Sequence, residues 1–453
     1  ALLLENLGFL TGEAHLSDSY FYLFFALSML CYVCVFAFEH IYNKTKIDIV
    51  LALILAVFLG CGIFTLLRFR DMEFISDNPL YSSTLSYSQL TINRYIVSLV
   101  AFVVSVYALM FVYCKNKITP RRMSFIFIIV MVVCLYCTIY SIITETDSYR
   151  ELFEEATYSH DIKSFFNNTN MFSGLLLMGM CASVLLNLNK KNALSYVCLF
   201  FFFFEILVTT SVLTVIVATV LIFAYFLLEI ILSWKKHKHR GYYTLAIYLM
   251  IVVGVICLFA YSLDDTLGPI SKLFIHVYNE GINLNVGTFS SRTGIWRAAL
   301  HIVQDDPVHL FLGYGYRISS DVLVNYLIAS KASYTSISST HNGLLQILIT
   351  YGLVGVGLYL LFFVYFVYAC GRLMKEHTRF ALLNLLVGLA MLGYSFGESV
   401  IFFNDNMQGL LVGLLFYLPA IMRYKNLNKQ KNIVSVKATI YSFRSMDDAS
   451  VIK

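Results

Sequence analysis

The 453-residue chain is 59% hydrophobic and 16% aromatic, with only 13% charged residues, more apolar surface than one water-facing core can hide. This composition excludes a soluble globular fold, and a net charge of +5 gives no reason to expect a nucleic-acid partner. We read an integral membrane protein, all-α and polytopic.

A hydrocarbon core of roughly 30 Å needs about 20 helical residues to cross it. Apolar runs of that length fall near 18–39, 47–67, 93–114, 122–143, 170–188, 193–210, 211–233, 242–262, 341–369, 379–396 and 404–422, giving eleven predicted spans. The stretch 193–234 is too long for one helix, and Thr209, Thr210 and Ser211 mark the expected reversal within it. Four regions follow: a transmembrane bundle over 1–262, a large loop over 263–340, further spans over 341–422, and a basic tail over 423–453.

Lysine and arginine prefer the cytoplasmic side of short loops. Alternate connections carry them at Lys44 and Lys46, at Lys115, Lys117, Arg121 and Arg122, at Lys190 and Lys191, at Lys235, Lys236, Lys238 and Arg240, and at Arg372, Lys375 and Arg379. With the tail from Arg423, these hold 22 of the 32 basic residues and leave 10 on the opposite side, where acidic residues outnumber them. The alternation puts residues 1–17 outside, and the start on "ALLL" leads us to expect a further helix ahead of Ala1, making twelve spans. A cleaved signal or a short external start is the alternative.

The ten cysteines lie in or beside predicted spans, so no disulfide framework is expected. Cys31 and Cys34 form a C-x-x-C pair, more simply read as small packing residues than as a redox pair. In the acidic segment 144–169, Glu145-x-Asp147 could hold a divalent cation on oxygen, but a solvated acidic loop is the preferred reading.

The loop over 263–340 is far longer than an ordinary connection, and loops of this length usually carry function. Its "SSRTGIWRAALHIVQDDP", residues 290–307, predicts a short amphipathic helix capped by Ser290 or Ser291 and stopped by Pro307. Arg292 and Trp296 share one face of it, at i and i+4. An interfacial anchor accounts equally for Trp296, and surface ion pairs for Arg292 and Arg297. The turn "LGYGY" follows with Tyr314 and Tyr316, and "THNGLLQILITYGLVGVG" then sets His341 and Asn342 at the mouth of a span. Asn342 is read as a cap or as a partner of His341. Gly352, Gly355 and Gly357 are read as helix-packing positions.

An arginine fork on an otherwise acidic face suits a diphosphate, because the planar guanidinium gives bidentate, charge-assisted hydrogen bonds. A histidine can take a proton near neutral pH. Outside the cell the obvious anionic substrate is a lipid diphosphate already in the membrane, which points to glycosyl transfer. Such a reaction needs a base for the attacking hydroxyl and cations for the departing charge.

The three motifs together resemble the signature of the O-antigen ligase and Wzy-type polysaccharide polymerase superfamily, membrane glycosyltransferases of the C class. The motif resemblance covers residues 290–357, and the many helices with one large late loop extend it along the chain. It implies that Arg292 holds an undecaprenyl diphosphate and that His341 is the base activating the acceptor hydroxyl. It also implies an inverting reaction without metal or other cofactor. Family members carry a second phosphate-binding arginine where this chain has Ser211 and Val212. Arg317 is the favoured substitute, with Arg94, Arg297 or hydroxyl groups as alternatives.

Glu205, close below the expected reversal, is a charge inside an apolar run and is taken as a site or pairing residue. Glu398, Asn404 and Asp405 flank the last outer turn, where acceptor hydroxyls and plain solvation explain them equally. The expected activity is polymerisation of O-antigen, capsule or exopolysaccharide from undecaprenyl-diphosphate-linked donor and acceptor, with a chain-length regulator as a further partner. A ligase of the same superfamily, moving glycan to a lipid A core or a protein, and a flippase are the alternatives. The expected setting is a bacterial inner or plasma membrane, with the site facing the periplasm or cell exterior.

Overall fold

The computed structural model describes residues 49–68, 120–154, 162–166, 169–188, 193–209, 211–236, 287–316, 318–329, 339–401 and 412–425, with single residues and pairs elsewhere between 30 and 104 and at 409. The long helices are α1 (Ile49–Arg68), α2 (Pro120–Thr144), α4 (Thr169–Leu186), α5 (Ala193–Val208), α6 (Val212–Lys236), α10 (Gly343–Leu373) and α11 (Thr378–Ser395). Between them lie the short helices α3 (Thr146–Glu154), α7 (Gly287–Gln304), α8 (Pro307–Leu312) and α9 (Ile318–Ala329). The strand content among the described residues is one antiparallel pair, Glu73–Phe74 with Leu85–Ser86, so the all-α expectation holds apart from these four residues.

Five helices are long and apolar enough to cross a membrane, and Ala52–Arg68 and Ala193–Val208 are shorter apolar helices. Their surfaces agree with that reading. On α6 the exposed residues Ile216, Val220, Phe223, Leu227, Ile231 and Trp234 recur every three or four positions, while Val215, Ala218, Leu221 and Tyr225 are buried. One stripe therefore meets the protein and the other meets an apolar surround. These are the features of a multi-pass membrane protein.

The chain reverses between Thr209 and Ser211, where α5 ends and α6 begins, as the polar residues there predict. Helix α4 is buried along its whole length from Phe172, with α2, α5, α6 and α11 packed around it. Small residues set these approaches. A side chain at Gly174 would overlap the Tyr394 ring, and one at Gly179 would come within 3.0 Å of Phe202.

The opposite end of this bundle is tied by Arg379, which donates from Nε to the Asn187 carbonyl at 2.9 Å and pairs with Glu229 at 2.5 Å. Glu229 is buried, and a buried carboxylate without a cation would be strongly destabilising.

The described spans match the expected ones at 47–67, 122–143, 170–188, 193–210, 211–233, 341–369 and 379–396 to within a few residues. The expected spans 18–39, 93–114 and 242–262 lie wholly or largely outside the described residues, as does the C-x-x-C partner Cys31, while the expected span 404–422 is described over 412–422, where the chain is helical. Helix α7 starts at Gly287, so Ser290 and Ser291 are inside it rather than capping it. Glu145 is half-buried, with Thr146 and Asp147 beside it exposed. Its carboxylate accepts from the backbone N–H groups of Lys163 and Ser164 and from the Ser141 hydroxyl, so it stabilises a turn.

Helix α10 is broken. Gly352 has φ 63 and ψ −161, which interrupts the helical ladder and releases carbonyls in an apolar region, where unsatisfied backbone groups cost several kcal/mol each. The "LGYGY" turn supplies the missing donors: the Tyr314 N–H reaches the Ile349 carbonyl at 2.7 Å, and the Gly315 N–H reaches the Thr350 carbonyl at 2.9 Å. The two backbones touch, for a Cβ on Gly352 would overlap Phe311 and one on Gly313 would overlap Thr350. Gly313 and Gly315 also have positive φ, of 72 and 97.

This clasp revises the packing role expected for the glycines. Gly352 is needed for its backbone angle and contact, whereas a Cβ on Gly357 meets nothing within 4 Å.

The loop helices are pinned from the other side as well. Asp306 caps α8 by accepting from the Val308 N–H at 2.8 Å, and it pairs at 3.0 Å with Arg68 at the end of α1. His309 stacks on Tyr314 with ring centroids 4.0 Å apart. Burial lowers its pKa from 6.5, partly opposed by Asp306, so near neutral pH the stack is made by an uncharged imidazole.

Replacing Gly352 by alanine should destabilise the purified protein by at least about 2 kcal/mol, from left-handed backbone strain plus overlap with Phe311. The Gly357→Ala change should stay within about 0.5 kcal/mol of wild type. Thermal melts in one detergent would check both, and equal effects would count against the clasp.

Candidate active site

Three elements meet at the head of α10. Helix α7 presents Arg292 and Trp296, the approach to α10 presents Thr340, His341 and Asn342, and the turn leaving α11 presents Gly397 and Glu398. Arg292 donates from Nη1 to the Gly397 carbonyl at 2.6 Å and from Nη2 to Glu398 Oε1 at 2.9 Å. The other carboxylate oxygen, Oε2, lies 3.2 Å from His341 Nδ1. One carboxylate thus joins the arginine and the histidine.

Burial sharpens the electrostatics. Arg292 is 8% exposed and Glu398 7%, so neither charge has water to fall back on and each depends on the other. The His341 side chain keeps 23% exposure. Its Nε2 makes no hydrogen bond to any described residue. The arrangement offers an accessible ring nitrogen, with the opposite nitrogen engaged by a carboxylate.

Local bonds hold the histidine in place. His341 has φ 48, a left-handed conformation uncommon outside glycine. Such backbone costs about 1–3 kcal/mol and persists where surrounding contacts over-determine it. Trp296 Nε1 donates to the Thr340 carbonyl at 3.0 Å, and the Thr340 N–H donates to Gln346 Oε1 at 3.0 Å. Asn342 caps α10 by accepting from the Leu345 N–H at 3.1 Å, while its Nδ2 donates to the Phe396 carbonyl at 3.0 Å.

Residues 194–360 match a family model described as O-Antigen ligase. Over these residues the chain is similar to the O-antigen ligase and Wzy superfamily. The superfamily consists of membrane glycosyltransferase-like enzymes that work on lipid-linked polysaccharides. No curated protein matches the chain. Arg292, Trp296, His341 and Asn342 all fall inside the O-antigen ligase match, and Glu398 falls beyond it.

Other residues expected at the site are placed differently. Arg297 is exposed on α7, five residues and therefore about 140° around the helix from Arg292. Arg317 and Arg94, the other substitutes considered for a second cation, lie outside the described residues, as do Asn404 and Asp405.

Tyr314 donates its hydroxyl to the Ile302 carbonyl at 2.9 Å, and Tyr316 is buried in the core. Both support the loop rather than contact His341 or Arg292. Ser211 donates to Asn170 Oδ1 at 2.8 Å and shares a hydroxyl cluster with Ser173 and Thr214. Glu205 accepts from the Tyr149 hydroxyl at 3.3 Å, so among the described residues its partner is a phenol from α3 and not a loop arginine.

Thr340 and Gln346 have no sequence signature that separates them from ordinary helix-end residues. Glu398 does have one, an acid at the end of an apolar run. Read in sequence it was one of three residues on a turn, and the fold makes it the joint of the site.

The head of α6 closes the site from below, because a Cβ on Gly397 would lie 3.2 Å from Arg292 Nη1 and closer still to Leu213. Asn342→Ala should cost about 1 kcal/mol of stability through the lost cap. It should also lower activity further than that loss explains, since the bond to Phe396 is lost too. Melting and turnover measured on the same preparation would show whether the two effects separate.

Proposed function

We propose that the chain is a polysaccharide polymerase, transferring the growing glycan from undecaprenyl diphosphate to the non-reducing end of a lipid-linked repeat. The observation that carries this reading is the meeting of Arg292 and His341 through one buried carboxylate, inside a segment matching the O-antigen ligase family.

In this reading the acceptor hydroxyl gives its proton to His341 Nε2 while its oxygen attacks the anomeric carbon. The bond from that carbon to the diphosphate oxygen breaks, its electron pair leaves on undecaprenyl diphosphate, and Arg292 neutralises the departing charge. Attack on the face opposite the leaving group inverts the anomeric centre. We infer no resident metal or cofactor.

The site belongs, on this proposal, to the face away from the basic ends of α6, α10 and α11, the periplasm or cell exterior of a bacterial inner or plasma membrane. Eleven or twelve spans surround it, the loop over 263–340 supplies Arg292, Trp296 and Thr340 to it, and a chain-length regulator is a natural partner.

A ligase is the second reading, equally consistent with a family model that bears the name O-Antigen ligase. It would use the same base and the same cation, and would differ in the acceptor, a lipid A core or a protein.

Purified protein supplied only with lipid-linked repeats should give a ladder of polymer. A product that forms only after a core acceptor is added would move the assignment to ligation. Alanine at His341 should abolish the ladder, with losses of at least about 10²-fold expected for removing a general base, while membrane insertion is unchanged. Long chains in cells carrying only that variant would remove His341 as the base.

A further inference from the structure

We propose that Glu398 is a positioning residue shared between Arg292 and His341, and that arrival of the donor diphosphate at Arg292 releases the carboxylate to the histidine. The inference rests on the proposed roles of Arg292 and His341 and adds the element that couples them.

In the structure the Arg292 fork is already engaged. Nη1 is held by the Gly397 carbonyl and Nη2 by Glu398 Oε1. A guanidinium has five N–H groups, so a diphosphate can approach, but its best bidentate geometry competes with the carboxylate for Nη2. Competition of this kind is reciprocal: whatever binds Arg292 weakens its hold on Glu398, and Glu398 weakens the hold of Arg292 on the ligand.

The carboxylate has one other partner to turn to. Oε2 already faces His341 Nδ1 at 3.2 Å, longer than a strong charge-assisted bond of about 2.7–2.9 Å. Freed from Nη2, the same carboxylate concentrates its charge on Nδ1–H, which fixes the proton there and leaves Nε2 as acceptor. The base is thereby completed when the donor is in place.

The remaining neighbours among the described residues do not offer the carboxylate another cation. From α11 comes the Tyr394 hydroxyl, which donates to the Asn170 carbonyl at 2.7 Å. Leu213 from α6 is apolar, and Gln346 from α10 is neutral and bound to Thr340. Glu398 itself is anchored through its backbone N–H to the Tyr394 carbonyl at 3.1 Å, so its side chain can shift while its backbone stays.

The test uses the full chain in nanodiscs, with two readouts: binding of undecaprenyl diphosphate, and turnover of lipid-linked repeats isolated from cells in which the chain is deleted. Glu398→Gln removes the charge and lets an amide N–H face Nδ1, which favours the wrong histidine tautomer. Turnover should fall by about 10³-fold or more, as for the comparable exchange in a serine protease triad. Binding of undecaprenyl diphosphate should instead become several-fold tighter, because the competitor on Nη2 is weaker.

A merely structural Glu398 would lose binding and turnover together, and that result, or turnover near wild type, overturns the proposal. Glu398→Asp covers the case in which the glutamine variant does not fold. Its carboxylate is one methylene too short to reach both partners, so turnover should drop while binding is kept or improved; wild-type turnover would overturn the coupling. Arg292→Ala and His341→Ala run beside them. If both retain turnover, the underlying reading fails; if both lose it while Glu398→Gln behaves as wild type, the coupling alone fails.

Discussion

A carboxylate sealed from water has to be matched by positive charge and donors, and at Glu398 those come from two chain segments far away in sequence. Arg292 lies 106 residues before it and His341 57 residues before it. Meeting that requirement brings α7, the head of α10 and the end of α11 to one point. The Trp296, Thr340, Gln346 and Asn342 bonds then remove the freedom that is left. The unusual backbone of His341 is tolerable because four neighbours hold the residues on either side of it. Loosening any of these contacts would leave a buried charge imperfectly matched, so the site is a cooperative unit rather than a set of separate residues.

The same logic governs the backbone. A helix that breaks inside an apolar bundle must find donors for its released carbonyls, and the glycine-rich turn at 312–316 provides two N–H groups at the right spacing. That turn connects the loop helices to α10, so the device that repairs the break also docks the loop. Arg68 and Asp306 extend the docking to α1. The helices of the loop thus have fixed attachments on three sides, which suits elements that must present an arginine within hydrogen-bond reach of a partner on another helix.

Sequence made the spans legible because lipid imposes a simple rule, a length of apolar residues, that leaves a long continuous trace. Arg292, Trp296, His341 and Asn342 were legible as a group because their motifs are local. Glu398 was only faintly visible, since its importance arises from tertiary pairing across 57 and 106 residues. The glycines show the same limit. Gly352 and Gly357 look alike in an apolar helix, yet one sits at a backbone junction and the other faces open space. Tyr314 and Tyr316 look like binding residues because aromatic rings flank the glycines, but their positions are set by packing of the turn.

Helix α10 has 31 residues, and as an unbroken rod it would be about 46 Å long, well beyond a hydrocarbon core of roughly 30 Å. The joint at Gly352 divides it into a head of about 14 Å and a shaft of about 32 Å. The shaft alone matches the core. Bilayers of different thickness make spanning helices tilt, and in a rigid rod that tilt would swing the tip that bears His341. With the head fastened to the loop helices, the shaft can lean with the lipid while the orientation of the histidine is set by protein contacts. The joint therefore acts as a mechanical isolator between the membrane and the chemistry.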